Sequence, residues 1–422
     1  MSLSLGIDIG TSGVRTSVLE ADGGVLSTAR AAHVAEEPGK IDASGWWLAV
    51  AHCITAQVAA LRELGRSGEE IDRIAVDGTS GSMVLTDANL TPVGAALMYN
   101  SKGFVAEAER IREVCPTKDH ITQGSNSALA RALRLLGDAE RAPAHLLHQA
   151  DFIAAKLMGV GGRSDFNNAL KTGFDPEEAA WPTWIGELLG DSLLPQVDAP
   201  GAAWAGLDPA VAGQLGLSPS AQVHAGTTDS IAAFLAAAPM QKGVAVTSIG
   251  STLAIKVLSE QRVDLPSMGL YSHRLGDFWL VGGASNTGGA VLAHFFTPQE
   301  LDHLSGEIDP GTPTGLDYYP LLEPGERFPV NDPDLQPRLT PRPPSDAHFL
   351  QGLFEGIARI EVDAYRLIST NGGPMPSRIY SAGGASKNPV FSAIREAALG
   401  IPLHTAIETE ASVGAARLAR LF

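Results

Sequence analysis

The chain has 422 residues, 44% of them apolar and 18% charged, and carries a formal net charge of −17. That length exceeds one ordinary core and suits two, and the even spread of apolar positions excludes a long disordered tail or a coiled coil. The acidic balance and scattered basic residues exclude nucleic acid and anionic membrane surfaces as partners.

The first residues, Met1 to Asp8, lack a basic segment and set an acid inside the first apolar run, so neither a signal nor a transit peptide is expected. No window approaches the roughly 18 unbroken apolar residues of a membrane span. Three strands follow, Leu3–Ile9, Val14–Glu20 and Val25–His33, joined by the turns Gly10-Thr11-Ser12-Gly13 and Asp22-Gly23-Gly24. After a Pro38-Gly39 turn, Asp42 to Leu64 has helical spacing with capping residues at Asp42 and Ser44, and its Trp46-Trp47 pair reads as core packing. Strands are expected at Ile71–Val76, Ser82–Thr86 and Val93–Tyr99, then a mainly helical region from Phe104 to Met158. The two cysteines, Cys53 and Cys115, have neither metal-ligand spacing nor a disulfide framework, which points to a reducing, cytoplasmic compartment.

Residues 159–222 mix Gly, Pro and Trp with short helices. A second cycle then opens: a strand Gln222–Ala225, the turn Gly226-Thr227-Thr228-Asp229, a helix Ser230–Ala238, a strand Gly243–Ile249, the turn Gly250-Ser251-Thr252 and a strand Leu253–Leu258. In outline this repeats the opening meander, so two α/β domains are expected, 1–228 and 229–422, with a hinge around 225–240. Pro320 to Pro344 is too rich in proline for regular structure, while His348–Ser369 is a helix leading to the strand Arg378–Ala382 and the turn Gly383-Gly384-Ala385-Ser386.

Four small-residue turns carry the chemistry. In Asp8-Ile9-Gly10-Thr11-Ser12-Gly13 an acid at a strand end can hold Mg²⁺ while N–H groups and hydroxyls meet phosphate oxygens, although such a sequence also makes ordinary hairpin turns. Its counterpart Ser248-Ile249-Gly250-Ser251-Thr252 raises the phosphate reading, because clamping a triphosphate between two halves takes one turn from each. Asp229 suits a base that accepts a hydroxyl proton; Asp229 or Thr228 also suits a helix N-cap. In Gly383-Gly384-Ala385-Ser386-Lys387-Asn388 two glycines admit a planar base or a ribose, with Asn388 as a hydrogen-bonding partner, or else the turn only starts a helix. No G-x-x-x-x-G-K-[ST] and no strand-linked G-x-G-x-x-G occurs, which excludes a P-loop and disfavours a dinucleotide fold. Gly78-Thr79-Ser80-Gly81-Ser82 lacks the last glycine of a nucleophile elbow, and His145, His148 and His224 have no zinc spacing.

In order and spacing these turns resemble the FGGY carbohydrate kinases of the actin, Hsp70 and hexokinase superfamily, over essentially the whole chain. The segments at 76–81, 225–236, 246–252, 282–286 and 315–320 look most like the short cyanobacterial and plant type of D-ribulose kinase. The resemblance implies a two-domain actin-like, ribonuclease H-like α/β fold with a cleft between its lobes, and ATP with Mg²⁺ as cosubstrate and metal. It implies that Asp229 is the general base, that Asp8 positions metal or phosphate, and that Thr11, Ser12 and Gly13 contact phosphate or sugar. Ser80, Asp229 and Ser230 would hold the sugar. Gly250, Ser251 and Thr252 would hold the phosphate tail, and Gly283, Gly384, Ala385, Asn388 and Phe391 would complete the nucleotide site. Two departures stand out. Xylulose and glycerol kinases usually carry W-x-D-x-R where this chain has Met98-Tyr99-Asn100-Ser101-Lys102, and Phe391 stands where the short subgroup often has Trp.

The leading expectation is therefore an ATP-dependent D-ribulose kinase, monomeric or homodimeric. A kinase for D-xylulose or another ketose is the nearest alternative, and a nucleotide-driven interaction protein of the actin or Hsp70 kind is the alternative of another class.

Overall fold

The computed structural model describes residues 2–33 and 42–421; the turn expected at Pro38-Gly39 lies outside them. The chain divides into two compact units. Unit 1 holds the residues up to Ala236 together with His273–Gly276 and the stretch from Glu410 onward, and unit 2 holds Ala237–Ser272 and Asp277–Thr409. Thus 229–236 and 410–421, assigned to the second domain from sequence, pack with the first.

Unit 1 contains β1 (Leu3–Ile9), β2 (Gly13–Leu19), β3 (Val25–Ala32), α1 (Ala43–Glu63), β4 (Ile71–Gly78), β5 (Met83–Thr86), α2 (Val105–Val114), α3 (Ala128–Gly137) and β6 (His145–His148). It continues with α4 (Gln149–Met158), β7 (Arg163–Asp165), α5 (Phe166–Ala169), α6 (Thr183–Leu189), β8 (Gln196–Asp198), β9 (Ala203–Gly206), α7 (Pro209–Leu215), β10 (Gln222–Thr228) and α8 (Asp229–Ala237). Its main sheet runs β3-β2-β1-β4-β10-β9, with β1, β4 and β10 parallel and the opening meander antiparallel. All seven residues of β1 are buried, not only the alternate Leu3, Leu5, Ile7 and Ile9, which is what a sheet covered on both faces demands. Helix α1 starts where Asp42 Oδ1 accepts the Ser44 N–H at 2.8 Å. It buries Trp46, Val50, Ile54 and Leu61 at helical spacing against that sheet. By length and composition α1 could cross a membrane, yet half of its most apolar stretch is buried in the protein.

Unit 2 repeats the plan with β11 (Val244–Ile249), β12 (Leu253–Ser259), β13 (Tyr271–Leu275), β14 (Phe278–Ser285), α9 (Gly289–Phe295), α10 (Pro298–Ser305), α11 (Asp346–Thr370), β15 (Arg378–Ala382), α12 (Pro389–Leu399) and β16 (Leu403–Thr405). The sheet order β13-β14-β12-β11-β15-β16 has β11, β15 and β16 parallel and β12 and β14 antiparallel. In each unit an antiparallel hairpin thus leads a parallel set, the actin-like arrangement. The last helix, α13 (Ala411–Leu421), returns to unit 1, where Ser412 Oγ meets Ser17 Oγ at 2.7 Å and Val413 and Ala416 pack on Leu19 and Ala236.

Three local expectations change. Val93–Tyr99 forms a single isolated bridge to β5, Leu97 to Met83, rather than a strand. The region from 104 to 158 contains β6, which pairs antiparallel with β5. Residues 226–228 belong to β10 and are not a turn, so Asp229 directly follows a strand end. Residues 306–345 contain neither helix nor strand, as their prolines dictate.

Candidate active site

Parallel pairing in unit 1 sets three strand ends side by side. Asp8 stands opposite Asp77, Asp77 opposite Thr227 and Gly78 opposite Thr228, so the chain reaches Asp229 one residue beyond the row. Asp77 is sealed from solvent, and neither of its oxygens meets an N–H or hydroxyl donor. Its carboxyl neighbours the like charges of Asp8 and Asp229. Burial, then the charges of Asp8 and Asp229, push Asp77 well above the carboxylate range. Asp8 is raised by burial too, against the lowering by Asp77 and by Arg15, whose Nη1 lies 3.6 Å away. Asp229 is the first residue of α8, where its Oδ1 accepts the Ser230 N–H at 2.6 Å.

The turn after β1 is closed by Gly10 N–H to Gly13 O at 2.9 Å and by His33 Nε2–H to Gly10 O at 2.9 Å. Thr11 and Ser12 are exposed, and among the described residues their N–H groups have no partner. Gly13 itself sits in β2, where a Cβ would stand 2.3 Å from Ala31 O. Its glycine is demanded by β3 and not by a ligand.

Ser80 lies in a turn held by a chain of hydrogen bonds. Tyr99 N–H donates to Ser82 Oγ at 2.9 Å, and Ser82 and Thr79 hydroxyls meet at 2.5 Å. Thr79 Oγ1 and N–H both donate to Gln149 Oε1, at 2.7 and 3.0 Å. From below, the buried Arg131 donates to Gly81 O. The stretch 98–102, which replaces the W-x-D-x-R clamp, is therefore anchored on the Ser80 turn through Tyr99. His148 is buried and neutral, pushed down to about 3 by burial and by the nearby charges of Arg131 and Lys171.

In unit 2 the β11–β12 turn is built like the first: Gly250 N–H donates to Thr252 O at 3.1 Å, and among the described residues the Ser251 and Thr252 N–H groups have no partner. Gly289 and Ala290 N–H groups secure the carbonyls of Gly250 and Ser251 at 2.8 and 3.1 Å. Beside this turn opens a pocket of about 470 Å³. Its apolar walls come from Ile249, Leu292, Leu301 and Phe354, and its rim from Gly384, Ala385 and Asn388. Such a slot has the size and apolar walls that suit a planar ring, and the turn beside it presents N–H donors of the kind that suit an anion.

Three expected nucleotide contacts need correction. Phe391 is fully buried and stacks on Phe354 at 4.6 Å, so it backs the pocket wall without offering a face. Gly283 pairs with Ile255 within the sheet, and a Cβ there would strike the Phe328 ring at 2.6 Å; its small size serves packing. Asn388 caps α12 by accepting the Phe391 N–H at 2.9 Å, and its amide donates to Ser305 Oγ at 2.7 Å, so that side chain is committed internally. Asp77, Gln149 and the Gly289-Ala290 pair were not among the expected site residues. Asn286-Thr287-Gly288-Gly289 after a strand was a legible signal for the last.

The chain matches the FGGY family of carbohydrate kinases, N-terminal domain, over residues 3–131 and the C-terminal domain over residues 245–421. It is 25% identical to a xylulose kinase of Bacillus subtilis, covering 93% of this chain and 82% of that protein. Among solved structures, a xyloylose kinase from Brucella ovis superposes with a TM-score of 0.86 at 22% identity, covering 99% of this chain and 90% of that one. A gluconate kinase from Lactobacillus acidophilus superposes with a TM-score of 0.83 at 17% identity, covering 99% and 89%; these two likenesses concern the fold. The paired donor turns, the base-sized pocket and the aligned carboxyl groups accord with these matches: the chain belongs to the FGGY family of carbohydrate kinases and is an ATP-using sugar kinase.

Proposed function

We propose that the enzyme transfers the γ-phosphoryl group of ATP to the terminal hydroxyl of a ketopentose, D-ribulose foremost, giving D-ribulose 5-phosphate. The observation that carries this reading is the row of strand ends that brings Asp8, Asp77 and Asp229 together beside the hydroxyl-rich Ser80 turn. Asp229 accepts the hydroxyl proton, the alkoxide oxygen forms its bond to the γ-phosphorus, the bond to the β-phosphate oxygen breaks, and ADP leaves. Ser80 and Ser230 hold sugar hydroxyls. In unit 2 the Ser251 and Thr252 N–H groups suit phosphate oxygens, Gly250 shapes their turn, and Gly384 and Ala385 border the adenosine; in unit 1 the Thr11 and Ser12 N–H groups suit phosphate oxygens likewise.

Asp77's donorless oxygens and the adjoining Asp8 fit Mg²⁺, which takes one or two carboxylates and completes its shell with water and phosphate. Among the described residues no cluster of three His, Cys, Asp or Glu side chains is arranged to hold a metal unaided, which also fits a metal that arrives with the nucleotide. Bound there, Mg²⁺ would neutralise charge on the transferring phosphates.

D-ribulose is favoured because Tyr99-Asn100-Ser101-Lys102 supplies neither the acid nor the arginine of the W-x-D-x-R clamp. D-xylulose is the second reading, favoured by the names of the relatives. Wild type and Asp229→Asn are to be compared on a sugar panel with ATP, the product's phosphate position being read by NMR. Turnover of the variant should fall about 10²- to 10⁴-fold with ADP affinity retained. Equal turnover would remove Asp229 as the base, and a preference for D-xylulose would select the second reading.

A further inference from the structure

Next to the pocket of unit 2 lies a polar network closed to solvent. Arg395 of α12 and Glu361 of α11 are both fully buried and meet two-pronged, Nε to Oε2 at 2.7 Å and Nη2 to Oε1 at 2.8 Å. Arg395 Nη1 donates to Ser381 Oγ of β15 at 2.5 Å. The Thr247 hydroxyl of β11 donates to Glu361 Oε1 at 2.6 Å. Because that donation uses its one proton, Tyr365 is the donor in the 2.8 Å contact between the Tyr365 and Thr247 hydroxyls. Every hydrogen bond named in the network therefore has one assigned direction.

Packing alone does not explain this arrangement, since apolar side chains of equal volume would fill the space without desolvating two ions. Its placement does. Thr247 stands three residues before Gly250, Ser381 three before Gly384, and Arg395 on the helix whose first residues, Asn388 and Pro389, line the same pocket. The backbone ladder already sets Thr247 opposite Ser381. It leaves open how far α12 slides or turns over those strands, and the fork of Arg395 fixes that freedom.

The geometry points to Arg395 and Glu361 as positioning residues for the nucleotide, setting where the first turn of α12 stands over Gly250 and Gly384. This inference rests on the proposed assignment of that pocket to ATP. ADP affinity is to be measured by calorimetry, without any sugar, for wild type, Ser381→Ala and the double variant Arg395→Met with Glu361→Leu. Val263→Ala, a truncation in the other core cluster of the same unit, serves as the stability control. The network variants should bind ADP about tenfold more weakly. The control should lose thermal stability and keep its affinity. Network variants that bind ADP like wild type overturn the positioning role and leave the kinase reading intact. A wild type that binds no ADP overturns the pocket assignment and this inference with it.

Discussion

Gly383 and Gly384 are neighbours held for opposite reasons. Gly383 has φ +87°, and a Cβ there would stand 2.3 Å from Ile249 O, so the strand exit itself requires it. Gly384 has φ −64°, open to any residue, with nothing within 4 Å of a would-be Cβ, and it faces the pocket. Gly384→Val should therefore weaken ADP binding at least about tenfold by filling space that a ligand needs, while its melting temperature stays near wild type. Gly383→Ala should instead lower unfolding stability by about 1–3 kcal/mol, seen in urea titrations. Equal affinity in the valine variant would show that nothing binds over Gly384. At this scale the sequence displayed Asp8, Asp229 and both donor turns, because each is a local run of residues. Asp77 was hidden because its meaning comes from a partner 69 positions away across a parallel ladder. Phe391 and Gly283 were misread because burial against Phe354 and Phe328 is a tertiary fact.

Helix α4 and strand β7 carry two buried acids, Asp151 and Asp165. Asp151 Oδ2 accepts the Ser164 hydroxyl at 2.7 Å, and Asp165 caps α5 through the N–H groups of Asn167 and Asn168. Burial, with the charge of Asp165, pushes Asp151 well above the carboxylate range; burial pushes Asp165 up to about 6. A carboxyl raised in the fold holds more protons there than in the unfolded chain. Such a contribution is complete below the unfolded value near 3.8; for Asp165 it is lost as pH rises through about 6, and for Asp151 as pH rises above the usual carboxylate range. Asp151→Asn keeps a carbonyl oxygen for Ser164 and removes one charge. Its urea midpoint should exceed that of wild type at pH 7, and the gap should shrink toward pH 4. A gap independent of pH would mean that the pair ionises freely. The elements themselves were mostly legible: β1, α1, β11, β12 and β15 agree with their hydrophobic patterns and caps. Strand β6 was not, since four residues between helices carry no period, and Val93–Tyr99 has strand composition without a ladder to join.

Across the whole molecule the proposed reading gives the two units different tasks, and hydrogen exchange tests that division. ADP alone should slow exchange at 249–252 and 384–389 in unit 2, and D-ribulose alone should slow it at 79–82 and 228–230 in unit 1. Nucleotide protection confined to unit 1 would reverse the assignment. The repeated plan of hairpin, small-residue turn and parallel strands was visible in the sequence, but the exchange of segments was not, because residues 410–421 reveal their place only through packing on Leu19 and Ala236.

That late helix has a bearing on biosynthesis. Arg420 Nε donates to Ser4 Oγ at 2.8 Å, and Arg417 Nη1 to the Leu235 and Ala236 carbonyls at 2.9 and 2.8 Å. As the polypeptide leaves the ribosome, the first unit waits with one apolar sheet face bare until α13 arrives, after some 10–30 s of further translation at about 5–20 residues per second. Chaperones should accordingly engage the first half of the nascent chain for longer than the second, and stalling synthesis before residue 411 should leave the earlier-made unit, not the later one, open to protease.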